Sequence, residues 1–537
     1  MSRLQFSCGC SFECFDDNKI IFSPKIENIN LNCKKTWELL SDGNTKGVFQ
    51  LESRLGQSIA KKLKPENIEQ LSALISILRP GSLEAMRDGK SVTNHYIDKK
   101  NLKESIDYFH PSLEPILNTT LGELIYQEQA IQIAKDIAGF SLSESDSLRK
   151  SIGKKDVKLM AEIKGKFLDG CKKENIVDEE DAQEIFGWIE KSQRYSFNKS
   201  HAVSYAMNAY LSAYTKAHFP QAFFCSYLRF AKDKIDPQQE IKQLIKNANE
   251  MDIQVCLPDI RLMNKLFEIY DNKIYFGLTD IKGLGLSVYN KIEDINKNYA
   301  INKMNYLQML FYVLHKINSS ASKAIISAGA IDFYGKNRTE VLFDFELSSS
   351  LTAKEIGYIL PLLTDTKVSL KDIFQFLISH IKVNKNRKLA IQALLHTYIS
   401  PPYSLVDKIE WLADSESSYL GTAISCSKLD SYNINMTNST CKDFKNSIVS
   451  NTKKILLAGE ITYVNIIKTK TGKNPGKEMA FLTIEDQTGS LDSVIFFPDT
   501  YEAYKHHLFE ENILVFSGSR AKTKDGFVVE KCFVPAA

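Results

Sequence analysis

The 537-residue chain carries 68 Lys and Arg against 65 Asp and Glu, a formal charge of +3 that is too near neutrality to name a partner, so charged ligands must be met by local clusters. A hydrophobic share of 43% supplies ordinary cores for about three or four domains at this length. No uninterrupted apolar run approaches the ~20 residues of a membrane-spanning helix. The start, Met1-Ser-Arg-Leu-Gln5, lacks a signal-peptide core, which predicts a cytoplasmic protein with no membrane partner.

Residues 1–33 are β-rich in pattern, and Lys19-Ile-Ile-Phe-Ser23 reads as a strand. Ten cysteines in a chain expected inside the cell argue for reduced thiols or metal ligands rather than a disulfide framework. Cys8, Cys10, Cys14 and Cys33 make a candidate four-thiolate Zn2+ site. They lack a C-x-x-C knuckle and Cys33 is distant, so unligated thiols remain the alternative.

From Lys34 to about Ala231 the pattern is helical. Leu71, Leu74, Ile75 and Leu78 form an apolar stripe that Pro80 and Gly81 should end, leaving Arg79 at a turn. Leu124-Ile-Tyr126-Gln-Glu-Gln129 reads as a short extended segment opening a helix with Ile131, Ile133, Ala134 and Ile137. Between Arg149 and Lys166, seven basic residues face only Asp156 and Glu162, a solvated helix face or a phosphate grip.

The stretch 194–201 then opens a helix with Ser200 as the expected N-cap, Val203, Met207, Tyr210, Tyr214 and Ala217 as its buried face, and Pro220 as its stop. Lys199 and His201 flank the positive end of the helix dipole. Cations sit poorly there unless an anion joins them, and a phosphate would resolve the conflict. A solvated helix start is the plainer alternative.

Phe197-Asn-Lys-Ser-His201 resembles a fingers segment of the bacterial replicative DNA polymerase III alpha subunits, the C-family polymerases. Gly47-Val-Phe-Gln-Leu-Glu-Ser53, Leu78-Arg-Pro-Gly81, Tyr126-Gln-Glu-Gln129 and Arg149-Lys-Ser-Ile-Gly-Lys-Lys155 are similar to its successive fingers motifs in the same order. Two positions depart from the family pattern: Ser82 replaces a proline and Ser196 a glycine.

The resemblance implies that Arg79, Arg149, Lys150, Lys154, Lys155, Asn198 and Lys199 bind the incoming nucleotide, chiefly its phosphates. Tyr126 and Gln127 would test the nascent base pair, with core packing an equal alternative for Tyr126. Lys199 or His201 would assist the leaving pyrophosphate. In the family a palm domain precedes the first of these motifs and holds two Mg2+ on three aspartates. Residues 1–46 leave no room for it, and the nearest carboxylate pairs, Glu144 with Asp146 and Asp344 with Glu346, read as surface groups.

Further on, a hairpin is expected around Asp271-Asn-Lys273. Ile281-Lys-Gly283-Leu-Gly285 resembles a helix-hairpin-helix turn in which Lys282, Gly283 and Gly285 meet a DNA phosphate; a plain glycine helix cap is the rival. Ser327-Ala-Gly-Ala-Ile-Asp332-Phe also matches the family. Glu340-Val-Leu-Phe343 and Ile373-Phe-Gln-Phe376 read either as sliding-clamp peptides or as ordinary amphipathic helices. Five strand patterns after residue 451 predict an OB-fold barrel, with Tyr463, Lys468, Lys470, Lys473 and Arg520 as candidate contacts to a single strand, or a barrel of purely structural role.

The expected architecture is multidomain α+β: a cysteine-bearing segment (1–33), mainly helical fingers (34–231), a helix-hairpin-helix duplex-binding domain (232–335), a helical connector (336–450) and the β-barrel (451–537). The expected function is part of a template-directed DNA polymerase acting on primer–template DNA and dNTPs, with palm and Mg2+ on another polypeptide in a split, phage-like arrangement. The alternative is a noncatalytic DNA-binding relative acting in repair, regulation or competition with a host polymerase.

Overall fold

The computed structural model describes all residues except 1, 6, 15–19, 22–25, 155–156, 193–194, 381–384, 447–453, 470–474, 522–525 and 537. It divides into two compact units, Met1–Pro220 and Gln221–Ala537.

The first unit opens with an antiparallel hairpin, Ser2–Gln5 against Ser11–Cys14, in the register Ser2 to Cys14. The strand expected at 19–23 is present as Ile20–Ile21; Lys19, Phe22 and Ser23 lie outside the described residues. The rest of the described residues of this unit are mainly helical, interrupted by a short antiparallel pair, Met86–Arg87 with Lys90–Ser91. One core joins Gln127–Ala138, Val157–Glu174 and Glu179–Ser192 through Ile133, Ile137, Phe167, Ile185 and Phe186.

The long helix Lys199–His218 packs against Ile68–Ile77. Its most deeply buried stripe is small: Ala202, Ala206, Ala209 and Ala213 are all fully buried, whereas Val203 and Met207 are only half-buried. The expected face is therefore displaced toward alanines, whose small side chains let two helices approach closely. Tyr210, Tyr214 and Ala217 are buried as expected. The N-cap is Asn198 rather than Ser200, its Oδ1 accepting the His201 N–H at 2.9 Å. The helix ends at His218, two residues before Pro220.

Two buried cations brace this unit. Lys99 Nζ lies 3.0 Å and Arg87 Nη2 2.6 Å from the buried carboxylate of Glu123. The fully buried Lys216 donates to the carbonyls of Asn44 and Lys46 at 3.0 and 2.9 Å, tying the long helix to the chain just before residues 47–53.

In the second unit one hydrophobic core runs from Phe224 to Leu420. The expected hairpin is Glu268–Tyr270 against Lys273–Tyr275, and positive φ at both Asp271 (48°) and Asn272 (61°) gives the tight turn matching strand twist. Val255–Cys256 adds a parallel third strand. Arg338 is buried, pairing with Asp332 at 2.7 Å and Glu416 at 2.9 Å and donating to the Ser327 carbonyl at 3.1 Å. The segments at 340–343 and 373–376 lie within the helices Arg338–Ser348 and Leu370–His380, with Val341, Phe343, Ile373 and Phe374 committed to the core.

The barrel closes from five strands in the order Glu478–Asp486, Gly489–Phe496, Phe527–Phe533, Ile513–Arg520 and Ile455–Lys468. Its second sequential pairing partner to Phe527–Phe533, Gly489–Phe496, runs parallel to it, the arrangement of an OB-fold. A helix, Pro498–Tyr504, lies in the connection from Gly489–Phe496 to Ile513–Arg520.

The carboxylate pairs require one correction. Asp146 is half-buried and pairs with Arg149 (2.7 Å) and Lys150 (2.8 Å), and the exposed Glu346 pairs with Lys323 at 2.8 Å. Asp344, expected at the surface, is buried and accepts the Tyr306 hydroxyl at 2.7 Å. Burial pushes its carboxyl up to about 6.

Because that folded-state value lies above the ordinary aspartate value of 3.8, the folded form binds the extra proton, and stability falls as pH rises from about 4 to about 6. Asp344→Asn keeps an acceptor for Tyr306 and removes the titration. Urea denaturation should show the variant more stable than wild type at pH 8, by on the order of 1–3 kcal/mol, with no gain at pH 4.

Candidate nucleotide-binding site

The site forms where three loops of the first unit meet at the start of the Lys199–His218 helix. Gln129 sets the first loop. Its buried amide oxygen accepts the N–H groups of Ile125 and Tyr126 at 3.0 and 2.9 Å, and its nitrogen donates to Thr120 Oγ1 at 2.6 Å. With residues 124–126 held extended, Phe197 pairs alongside in parallel: its N–H donates to the Ile125 carbonyl, and its carbonyl accepts from Gln127, both at 3.0 Å.

That pairing brings Glu128 to the helix start. Its carboxylate accepts Asn198 Nδ2 at 2.6 Å and the Lys199 backbone N–H at 2.8 Å. The anion expected from a phosphate is thus partly supplied by the protein, at the end of the helix where negative charge is favoured. Lys199 Nζ lies 3.0 Å from Glu69 Oε1 and 5.6 Å from the Tyr126 ring. Neither carboxylate was singled out by sequence patterning. Glu128 stood inside a recognised motif, but its meeting with Asn198, seventy residues away, needs the strand-like pairing.

A ladder of planar groups crosses the same corner. The Arg79 guanidinium stacks on Phe197 at 3.8 Å, Phe197 is 5.3 Å from His201, His201 is 4.1 Å from Tyr205, and Tyr205 is 5.1 Å from Phe49. Arg79 and His201 are exposed, and a small cavity opens between Gln50, Ser53, Arg79 and Tyr205. Residues of four separate motifs therefore converge.

Tyr126 is buried, its phenol pushed up by desolvation, while Gln127 is half-buried and engaged through its backbone. Arg149 and Lys150 project from the helix Leu142–Lys154 and are held by Asp146. The Lys154 side chain and Lys155 lie outside the described residues. Neither departure from the family pattern disturbs the loops: the Ser82 N–H donates to the Arg79 carbonyl at 3.0 Å, a bond proline could not make, and Ser196 has no positive φ, so glycine is not required there.

At the far end of the same helix, Cys8, Cys10, Cys33 and His218 bring their ligating atoms within 4.8 Å of one another, a set that can hold a metal ion such as Zn2+. His218, which was not among the expected ligands, joins three of the four expected cysteines; the Cys14 side chain lies outside the described residues.

In the second unit, Gly283 has φ +92° and open space where a Cβ would point, with Lys282 and Gly285 exposed beside it. The Lys282 N–H donates to the Tyr419 carbonyl at 2.9 Å, and Gly285 caps the helix Leu286–Tyr299. On the barrel, Lys468 and Tyr463 are exposed. Lys470 and Lys473 lie outside the described residues. Arg520 stacks over Phe444 at 4.1 Å and donates to its carbonyl, joining the barrel to the helix Cys441–Lys445.

Residues 16–175 match the bacterial DNA polymerase III alpha subunit finger domain, and residues 252–341 match a helix-hairpin-helix motif. The chain is 32% identical to the DNA polymerase III subunit alpha of Aquifex aeolicus over 518 residues, 94% of this chain and 39% of that protein. It is 31% identical to that of Staphylococcus aureus over 497 residues, 92% of this chain and 42% of that protein. The chain belongs to the bacterial DNA polymerase III alpha-subunit family and spans about two fifths of the length of these relatives. Among the described residues no helix is long and apolar enough to cross a membrane.

Glu128→Ala should destabilise the first unit by about 1–2 kcal/mol in urea denaturation, because the helix start loses its carboxylate. Glu128→Gln, which keeps an acceptor, should lose less.

Proposed function

We propose that the chain supplies the fingers, helix-hairpin-helix and barrel of a template-directed DNA polymerase working in the bacterial cytoplasm or nucleoid. The observation that carries this reading is the convergence of Arg79, Asn198, Lys199 and His201 on one exposed corner. Triphosphate transfer is driven largely by positioning and charge neutralisation, which such a corner serves. An incoming dNTP would draw Lys199 from Glu69, and Arg79 would reach the phosphates from its seat on Phe197. Arg149, Lys150, Lys154 and Lys155 would add charge for the phosphates. Lys199 or His201 would meet the leaving pyrophosphate.

The Mg2+ ions belong elsewhere in this reading. Among the described residues the side chains grouped for a metal are three thiols and an imidazole, which suit a soft ion and not the all-oxygen shell of Mg2+. The palm aspartates would come from a second polypeptide, and a sliding clamp is a further candidate partner. Primer–template duplex would be held by the turn at 282–285, single strand by the barrel face carrying Lys468.

Primer extension with Mg2+ tests this. The purified chain alone should incorporate no nucleotide, and adding a palm-bearing alpha-subunit polypeptide should restore template-directed synthesis. Lys199→Ala and Arg79→Ala should then lower kcat/KM for dNTP by about 10–100-fold, the loss of one or two charge-assisted contacts. Extension by the chain alone overturns the split arrangement. DNA binding without restored synthesis favours a noncatalytic relative.

Lys282→Ala should weaken duplex binding evenly across sequences. In a salt titration by fluorescence anisotropy it should reduce the slope of log K against log salt by about 1.

A further inference from the structure

We infer that Cys8, Cys10, Cys33 and His218 form a structural Zn2+ site that clamps the N-terminal hairpin to the end of the long helix. The donor set has the right chemistry: three thiolates and one imidazole are a tetrahedral zinc set. The spacing agrees as well. Zinc bonds of ~2.3 Å to sulfur and ~2.0 Å to nitrogen put sulfur and nitrogen donors about 3.5 Å apart in a tetrahedron. Cys33 Sγ lies 3.3 Å and Cys8 Sγ 3.9 Å from His218 Nε2. All three cysteines are free thiols rather than disulfide-bonded.

The surroundings suit a closed site. Cys10, Cys33 and His218 are buried and Cys8 half-buried. Gly9, at φ +83°, makes the tight turn that points Cys8 and Cys10 at one centre. The Phe12 and Tyr214 rings stand 5.2 and 4.5 Å from His218, excluding water. Asn30 supports the shell, its Nδ2 reaching Cys10 Sγ at 3.8 Å while its carbonyl accepts the Tyr210 hydroxyl at 2.7 Å.

Binding would release three protons as the thiols become thiolates, leaving a centre of net charge −1 with no redox change. The role is structural, since His218 lies nineteen residues from Lys199 on one helix, roughly 28 Å at 1.5 Å per residue. All four protein ligands are in place, so none of the usual open positions of a catalytic zinc remains.

Elemental analysis of the full chain, purified without chelator, tests the site. One zinc per chain is expected, retained in Cys14→Ser and lost in Cys33→Ser, Cys8→Ser and His218→Ala. Co2+ substituted into the wild type should give intense visible bands of tetrahedral cobalt with a thiolate charge-transfer band. A wild-type chain that holds no zinc after reconstitution with Zn2+, or that holds iron instead, overturns the inference. So does loss of zinc in Cys14→Ser with retention in His218→Ala. Because the readout is metal content, the result is independent of polymerase activity.

Discussion

The two backbone hydrogen bonds that join Phe197 to residues 125–127 decide where the long helix begins, and the candidate site depends on that position. Gln129 holds one side of the pairing, Lys216 anchors the helix lower down to residues 44 and 46, and the alanine stripe brings it close to Ile68–Ile77. Apart from the local bonds of Gln129, these contacts are between segments distant in sequence. Arg79, Phe197, His201, Tyr205 and Phe49 can align only after they are made.

Local chemistry was legible wherever a short rule governs it. Asp271-Asn272 announces a tight hairpin turn, Gly283 a turn that only glycine enters easily, and alternation after residue 451 a barrel of five strands. The long helix and its stop before Pro220 were readable from spacing. Its cap was misplaced by two residues because Ser200 and Asn198 are both good caps, and the choice falls to Asn198, which the pairing of Phe197 places just outside the helix.

What patterning could not supply were partners across long separations. Glu128 and Glu69 are ordinary acidic residues until the fold sets them beside Asn198 and Lys199. Asp344 looks like a surface acid on a charged helix, yet its face of that helix is turned toward Tyr306. His218 has no cysteine-like spacing to advertise it as a ligand, since it reaches Cys8 and Cys33 from the far end of the unit's longest helix. Arg520 likewise spends its charge on Phe444, whose closeness follows from barrel closure.

A cation already satisfied by a neighbouring carboxylate behaves differently from a bare one. Lys199, held at 3.0 Å by Glu69, sets a threshold: an arriving anion must outbid an ion pair that is in place before it comes. In the proposed reading a polyphosphate, with several charges delivered together, would displace that pair more readily than chloride would. The corner would then be quiet at rest and selective for charge density.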